Sequence, residues 1–167
     1  METENTIAFR EAYRAAEVGE NYSGKLHFWF MTIWCLALII TSIILIHQPT
    51  WKELLIIPLG FLYINFAEYF AHKGPMHHRS IKFDKVFIRH TLQHHQFFTN
   101  QQMQCDSVQD FKMILFPPVL IIFFFFAFAV PVSFVFYIFW SMNAALIFAA
   151  TVFVYYLNSE SLHLAYH

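Results

Sequence analysis

The segments HKGPMHH at 72–78, HTLQHH at 90–95 and HLAYH at 163–167 hold all but two of the ten histidines in this 167-residue chain. Only His27 and His47 stand apart, at positions where a lone histidine reads as an ordinary interfacial polar group. Neutral imidazole binds iron, zinc, copper or nickel, so the residue type points to a metal without choosing one. A structural zinc takes four ligands and a catalytic zinc three. The candidate ligands His72, His77, His90, His94, His95, His163 and His167 exceed either number and point to two metals. His78, beside His77, is a further possible ligand.

Spacing supports a shared target. His90 with His94, and His163 with His167, are four residues apart, which places each pair on one side of a helix. His95 then points partly away from His94, toward a second metal or from another angle. His72 and His77 are five apart, too far round a regular helix, and the Gly74-Pro75 break predicts a turn that brings them together. Glu68 lies one helical turn before His72 and is a candidate carboxylate for fixing an imidazole tautomer. Two irons can activate dioxygen and so attack an unactivated C–H bond. Carboxylates are scarce here, unlike in the di-iron sites of soluble helical bundles. A proton-sensing cluster is the main metal-free alternative.

These groups need elements to place them together, and composition says what kind. The chain is 58% hydrophobic and 20% aromatic with 13% charged residues, which predicts a membrane protein. A net charge of −1 gives no basis for a nucleic-acid partner. Four stretches, 28–46, 54–71, 113–130 and 134–157, reach the roughly 20 apolar residues a bilayer requires. The first follows a polar lead and lacks a small-residue cleavage site, so it reads as a retained anchor. Arg10, Arg14 and Lys25 precede the first stretch, and Lys73, Arg79, Lys82, Lys85, Arg89 and Lys112 lie between the second and third; Lys52 is on the other side. That bias places both termini and the histidine face in the cytoplasm, with outer turns at 47–53 and 131–133. The fold expected is an all-α integral membrane protein, four transmembrane helices in two hairpins with a cytoplasmic histidine-rich cap.

Residues 1–27 form an N-terminal segment ahead of the membrane domain at 28–167. Ile7, Phe9, Ala12, Tyr13 and Ala16 recur at helical spacing until Gly19, which suits an amphipathic interfacial helix. The long loop after the second span predicts a helix from Asp84 through Phe98, with Asp84 as its cap. Cys35 and Cys105 read as reduced packing residues.

The histidine pattern resembles the fatty acid hydroxylase and sterol desaturase superfamily of membrane di-iron oxygenases. His72 and His77 match its first histidine box, His90, His94 and His95 its second, and His163 with His167 resemble the intermediate group after the last membrane hairpin. The resemblance runs from about residue 54 onward. The family pattern continues to a final HxxHH that these 167 residues do not contain, so the resemblance implies C-terminal truncation. It also implies two iron ions and O2-dependent hydroxylation or desaturation of a lipid such as a fatty acyl chain or sterol. Electrons would come from an external donor, such as a b-type cytochrome or a ferredoxin with its reductase. The host membrane would be the bacterial inner membrane or the endoplasmic reticulum. Independently, the chain has only four glycines and no dinucleotide fingerprint, so reducing equivalents must come from elsewhere. Lys82, Lys85 and Arg89 could dock an acidic donor, or simply fix topology against anionic lipid.

The alternative function is a histidine-rich metal or proton transporter. Transport requires polar groups along the spans, which offer Asn65, Glu68, Ser141 and Asn143, residues equally suited to bonding between helices. A third reading, bis-histidine haem, would place histidines inside paired spans rather than at their ends.

Overall fold

The computed structural model describes residues 2–167. Among them the structure is helical, without strands, its one β-type pairing being a bridge between Thr99 and Gln102. In chain order, α1 (Glu2–Glu17) precedes α2 (Gly24–Leu45). Thr50 then caps the short α3 (Trp51–Leu54) in a capping box with Glu53, and α4 (Ile56–Ala71) follows. After a π-helical turn at His72–Met76 come α5 (Asp84–Phe87), a π-helical segment at Ile88–His94 and α6 (His95–Phe97). The remainder comprises α7 (Phe111–Ile114), α8 (Pro118–Phe124), a π-helical turn at Phe125–Ala129, α9 (Val130–Phe139) and α10 (Met142–Tyr166).

Four helical stretches are long and apolar enough to cross a membrane: Gly24–Leu45, Trp51–Met76, Val108–Phe139 and Met142–Tyr166. The chain is thus an all-α membrane protein, as its composition predicts. The boundaries differ in one informative place. Pro131 and Ser133 were expected in an outer turn but lie inside α9, and the helix instead breaks at Trp140 and Ser141. A proline lacks an N–H and its ring clashes with the carbonyl four residues back. The widened π turn immediately before α9 accommodates Pro131, so the helix survives it.

Two compact units make up the chain. One comprises Trp29–Phe66 and Pro117–Ser161. Its core joins Cys35, Ile39, Ile56, Ala144, Phe148, Val152 and Phe153, while Ile33, Ile40, Ile44, Leu59 and Phe66 face outward as lipid-facing residues would. Gly60 lets α4 approach α10, since a Cβ there would sit 3.2 Å from Thr151 Cγ2. Polar groups of the spans bond one another: Asn65 Nδ2 donates to the Tyr155 hydroxyl at 3.1 Å, the Ser141 hydroxyl donates to Glu53, and Asn143 Nδ2 donates to the His47 carbonyl at 2.8 Å. The backbone N–H of His47 returns a bond to Asn143 Oδ1 at 3.1 Å.

The second unit comprises the chain through Phe28, Ala67–Phe116 and Leu162–His167. Within it α1 buries Thr6, Arg10 and Tyr13, leaving Ile7, Ala12 and Ala16 exposed. The face toward protein is mixed, Tyr13 and Phe9 of the apolar spacing packing there beside buried Thr6 and Arg10. Tyr13 packs with Phe97, Phe98, Met113 and Ile114. The expected helix beyond Gly74-Pro75 is present as α5 to α6, although Phe83 occupies the cap position and Asp84 opens the first turn, paired to Arg79 at 2.6 Å.

Between α7 and α8 the chain is extended at Leu115 and at Pro117, the latter because the residue before a proline, here Pro118, is pushed out of the helical region. The carbonyls released there are taken up by two side chains. Arg89 donates to the Lys112 and Leu115 carbonyls. His27 Nε2 donates to Phe116 O at 2.9 Å, which makes Nδ1 the acceptor for the Tyr22 hydroxyl at 2.9 Å. His27 is therefore a buried structural bridge, and Arg89 faces inward rather than toward a partner.

Gly24 opens α2 against the chain entering α7, and a Cβ there would overlap the Val108 carbonyl. Backbone cannot yield as a side-chain tip can. Gly24→Ala is expected to destabilise by about 1–3 kcal/mol through overpacking, read as a lowered thermal midpoint in detergent. An unchanged midpoint would mean that α2 shifts freely past Val108.

Candidate metal centre

Three segments deliver the histidines: the end of α4 with its π turn, the π segment leading into α6, and the end of α10. They assemble two groups. His72, His77 and His90 form one, and His94, His163 and His167 the other, with the ligand atoms of each group within 4.8 Å of one another. His90 and His94 stack with ring centroids 5.6 Å apart, so the groups are neighbours.

The π turns explain this geometry. In an α-helix two residues five apart point about 140° away from each other, whereas i→i+5 bonding makes five residues close to one full turn. Pro75 cannot donate to the Ala71 carbonyl and crowds it, which favours the widened turn at His72–Met76. His72 and His77 consequently meet with centroids 4.6 Å apart. Along Ile88–His94 the same widening fans His94 and His95 to either side of His90. His95 approaches His77 and His90 at 5.2 and 4.9 Å, while His94 lies 5.1 Å from His163 and 5.2 Å from His167. The i,i+4 expectation that His90 and His94 share one target therefore gives way to a division between the groups. The Thr91 hydroxyl donates to the Met76 carbonyl at 2.6 Å, tying the two π turns together.

His95 stands against the first group as an exposed flank. His78 is exposed and belongs to neither group. Glu68 lies close enough to interact electrostatically with His72 and His163, one histidine from each group. Glu160, outside the histidine pattern, is 4% exposed on α10 in the other unit, close to Cys35 and Tyr156. Its signal in the sequence is a lone carboxylate four residues after Tyr156. Cys105 is no ligand: burial raises its thiol, which donates to the Ser107 carbonyl at 3.1 Å.

Electrostatics favour the metal-binding form of imidazole. Burial first, then the neighbouring imidazoles, push His90 and His94 down to about 3. His95 is lowered by burial and by His77, and His167 by burial against the raising effect of its bond to the Met103 carbonyl. In these four the neutral form is favoured, with one ring nitrogen each able to offer a lone pair. Three imidazoles around each point are a donor set suited to a divalent transition metal.

The metal-free protein should be acid-labile for the same reason. His90 and His94 have folded values below their ordinary 6.5, so the unfolded chain binds protons first. Stability is whole above about pH 6.5 and is lost progressively as pH falls toward 3. Thermal midpoints measured in chelator across that window should decline with pH, and His94→Asn should flatten the profile. A wild-type midpoint independent of pH would contradict the burial of these rings.

Fold and site together define an all-α, multi-pass membrane protein carrying two adjacent three-histidine clusters. Comparisons with family models, curated proteins and solved structures returned no match.

Proposed function

We propose that this protein is a membrane-bound di-iron oxygenase that hydroxylates or desaturates a lipid. The observation that carries the reading is the pair of three-histidine groups, drawn from three distant segments and joined at the stacked His90 and His94. Iron held there would supply activation of O2: hydroxylation consumes O2, two electrons and two protons, inserts one oxygen into a C–H bond and releases the other as water.

The chain's own residues serve that chemistry in distinct ways. Imidazoles from the end of α4, the π segment before α6 and the end of α10 would hold the metals without adding negative charge. His95 and Glu68 flank them, Glu68 within electrostatic reach of both groups. A lipid substrate fits the apolar character of the membrane-crossing helices. The electron donor is a separate protein, a b-type cytochrome or a ferredoxin with its reductase, since this chain carries no dinucleotide fingerprint. Exposed Lys82 and Lys85 are the basic residues available to an acidic donor. The lysine and arginine bias supports a cytoplasmic histidine face.

Transport, the alternative, is less well supported. The polar span residues have partners within the protein: Asn65 bonds the Tyr155 hydroxyl, Ser141 bonds Glu53, and Asn143 bonds the His47 backbone. The test is elemental analysis of the detergent-purified protein after anaerobic loading with ferrous iron, followed by 18O2 exposure with reductant and native lipids. Two irons per chain and 18O in a lipid product, or an O2-dependent new double bond, support the proposal. Zinc alone, or no metal, overturns it.

A further inference from the structure

We propose that Arg10, on the N-terminal helix, is a positioning residue for the second histidine group, fixing the tautomer and direction of the His167 ring through the turn at 97–106. The proposal rests on reading His94, His163 and His167 as a metal site. Arg10 is 1% exposed, and a guanidinium so deeply buried requires partners for its donors. It finds them all on one distant turn. Nε donates to Phe97 O at 2.7 Å, Nη1 to Gln104 O at 3.0 Å and Asp106 Oδ2 at 2.7 Å, and Nη2 to Gln102 O at 2.5 Å. The guanidinium also lies 5.0 Å from the centre of the Phe97 ring and 5.2 Å from that of Phe98.

The opposite side of this turn touches His167. Gln102 and Gln104 direct their carbonyls to Arg10, and the carbonyl between them, Met103 O, meets His167 Nδ1 at 3.0 Å. A carbonyl only accepts, so Nδ1 carries the proton and Nε2 keeps the lone pair that a metal needs. Two further contacts hold the same residue. The Cys105 N–H donates to the His167 main-chain oxygen at 2.5 Å, and the Phe98 ring lies 3.9 Å from the imidazole, centroid to centroid. Apart from the Thr99–Gln102 bridge the turn has no ladder of its own; Asp110 holds its far end through the N–H groups of Asp106 and Ser107, and Arg10 fixes the carbonyls on either side of Met103 O. The N-terminal helix thereby becomes part of the metal centre, although it contributes no ligand.

The test uses 15N-histidine-labelled protein in detergent, with His167 assigned by His167→Gln. In chelator, wild type should show His167 protonated at Nδ1, and Arg10→Ala a tautomer mixture. Cobalt(II) titration should give two ions in wild type. In Arg10→Ala the ion at His72, His77 and His90 should remain and the second should bind roughly 10–100-fold more weakly, the usual effect of losing outer support for a ligand. Arg10→Lys keeps the charge and stem but cannot reach three carbonyls at once, and serves if Arg10→Ala fails to fold; it should also lose the pure tautomer. An unchanged tautomer in the folded variant, with both ions bound as in wild type, overturns the proposal. No cobalt in wild type would instead overturn the metal reading, while the tautomer comparison would still decide the role of Arg10.

Discussion

Replacing His94 by alanine should reduce metal content from two ions to one per chain while leaving the membrane helices inserted. His94 is the most buried of the clustered histidines at 9% exposure, and it faces His163 and His167 from the opposite segment. Without it the second group has two imidazoles from α10 alone, and affinity there should fall by more than the roughly 10–100-fold cost of losing an outer hydrogen-bond partner. The first group retains His72, His77 and His90, so one ion should remain. His90→Ala should give the mirror result. Elemental analysis of both variants beside wild type makes the comparison. If His94→Ala kept two ions, the division of the histidines into two sites would be wrong; if it lost both, the groups would act as one coupled centre.

The largest stability effect is expected at Asp110, whose side chain is fully buried. Arg14 grips it with two bonds, Nε to Oδ1 at 2.8 Å and Nη2 to Oδ2 at 2.9 Å. The backbone N–H groups of Asp106 and Ser107 both donate to Oδ2 at 3.0 Å. Asp110→Ala removes the acceptor for all four and leaves Arg14, itself partly exposed, with Asp106 Oδ2 at 3.3 Å as its remaining carboxylate. Leaving the backbone N–H groups of Asp106 and Ser107 without their acceptor costs about 1–3 kcal/mol each, and unfolding in graded detergent denaturant should register a loss of that order. A loss within the about 1 kcal/mol typical of surface pairs would mean that water replaces the carboxylate.

Much of the architecture was written in one dimension. Runs such as FWFMTIWCLALIITSIILI are too long and too apolar for anything but membrane-crossing helices, because an unpaired backbone is intolerable in hydrocarbon. The histidine groups could be recognised as a candidate metal site because imidazoles at repeated short spacings have few other uses in a greasy chain. Local rules also set some breaks, as Pro117-Pro118 does between α7 and α8.

Other features depended on contacts that no local pattern encodes. Regular helical periodicity puts His90 with His94. The π-helical segment at Ile88–His94, braced by Thr91 against Met76, sends them to different groups. Apolar spacing in α1 marks Ile7 and Ala12, but Arg10 is buried because its carbonyl partners lie 87 to 94 residues away. Pro131 signals a turn, yet the preceding π turn carries the helix past it. By itself the sequence determined a four-span helical membrane chain and which residue type would meet at its site, since both follow from composition and short-range spacing. Only the tertiary structure decided which histidines face one another and what fixes their rings, because helix widening and long-range hydrogen bonds are settled by packing.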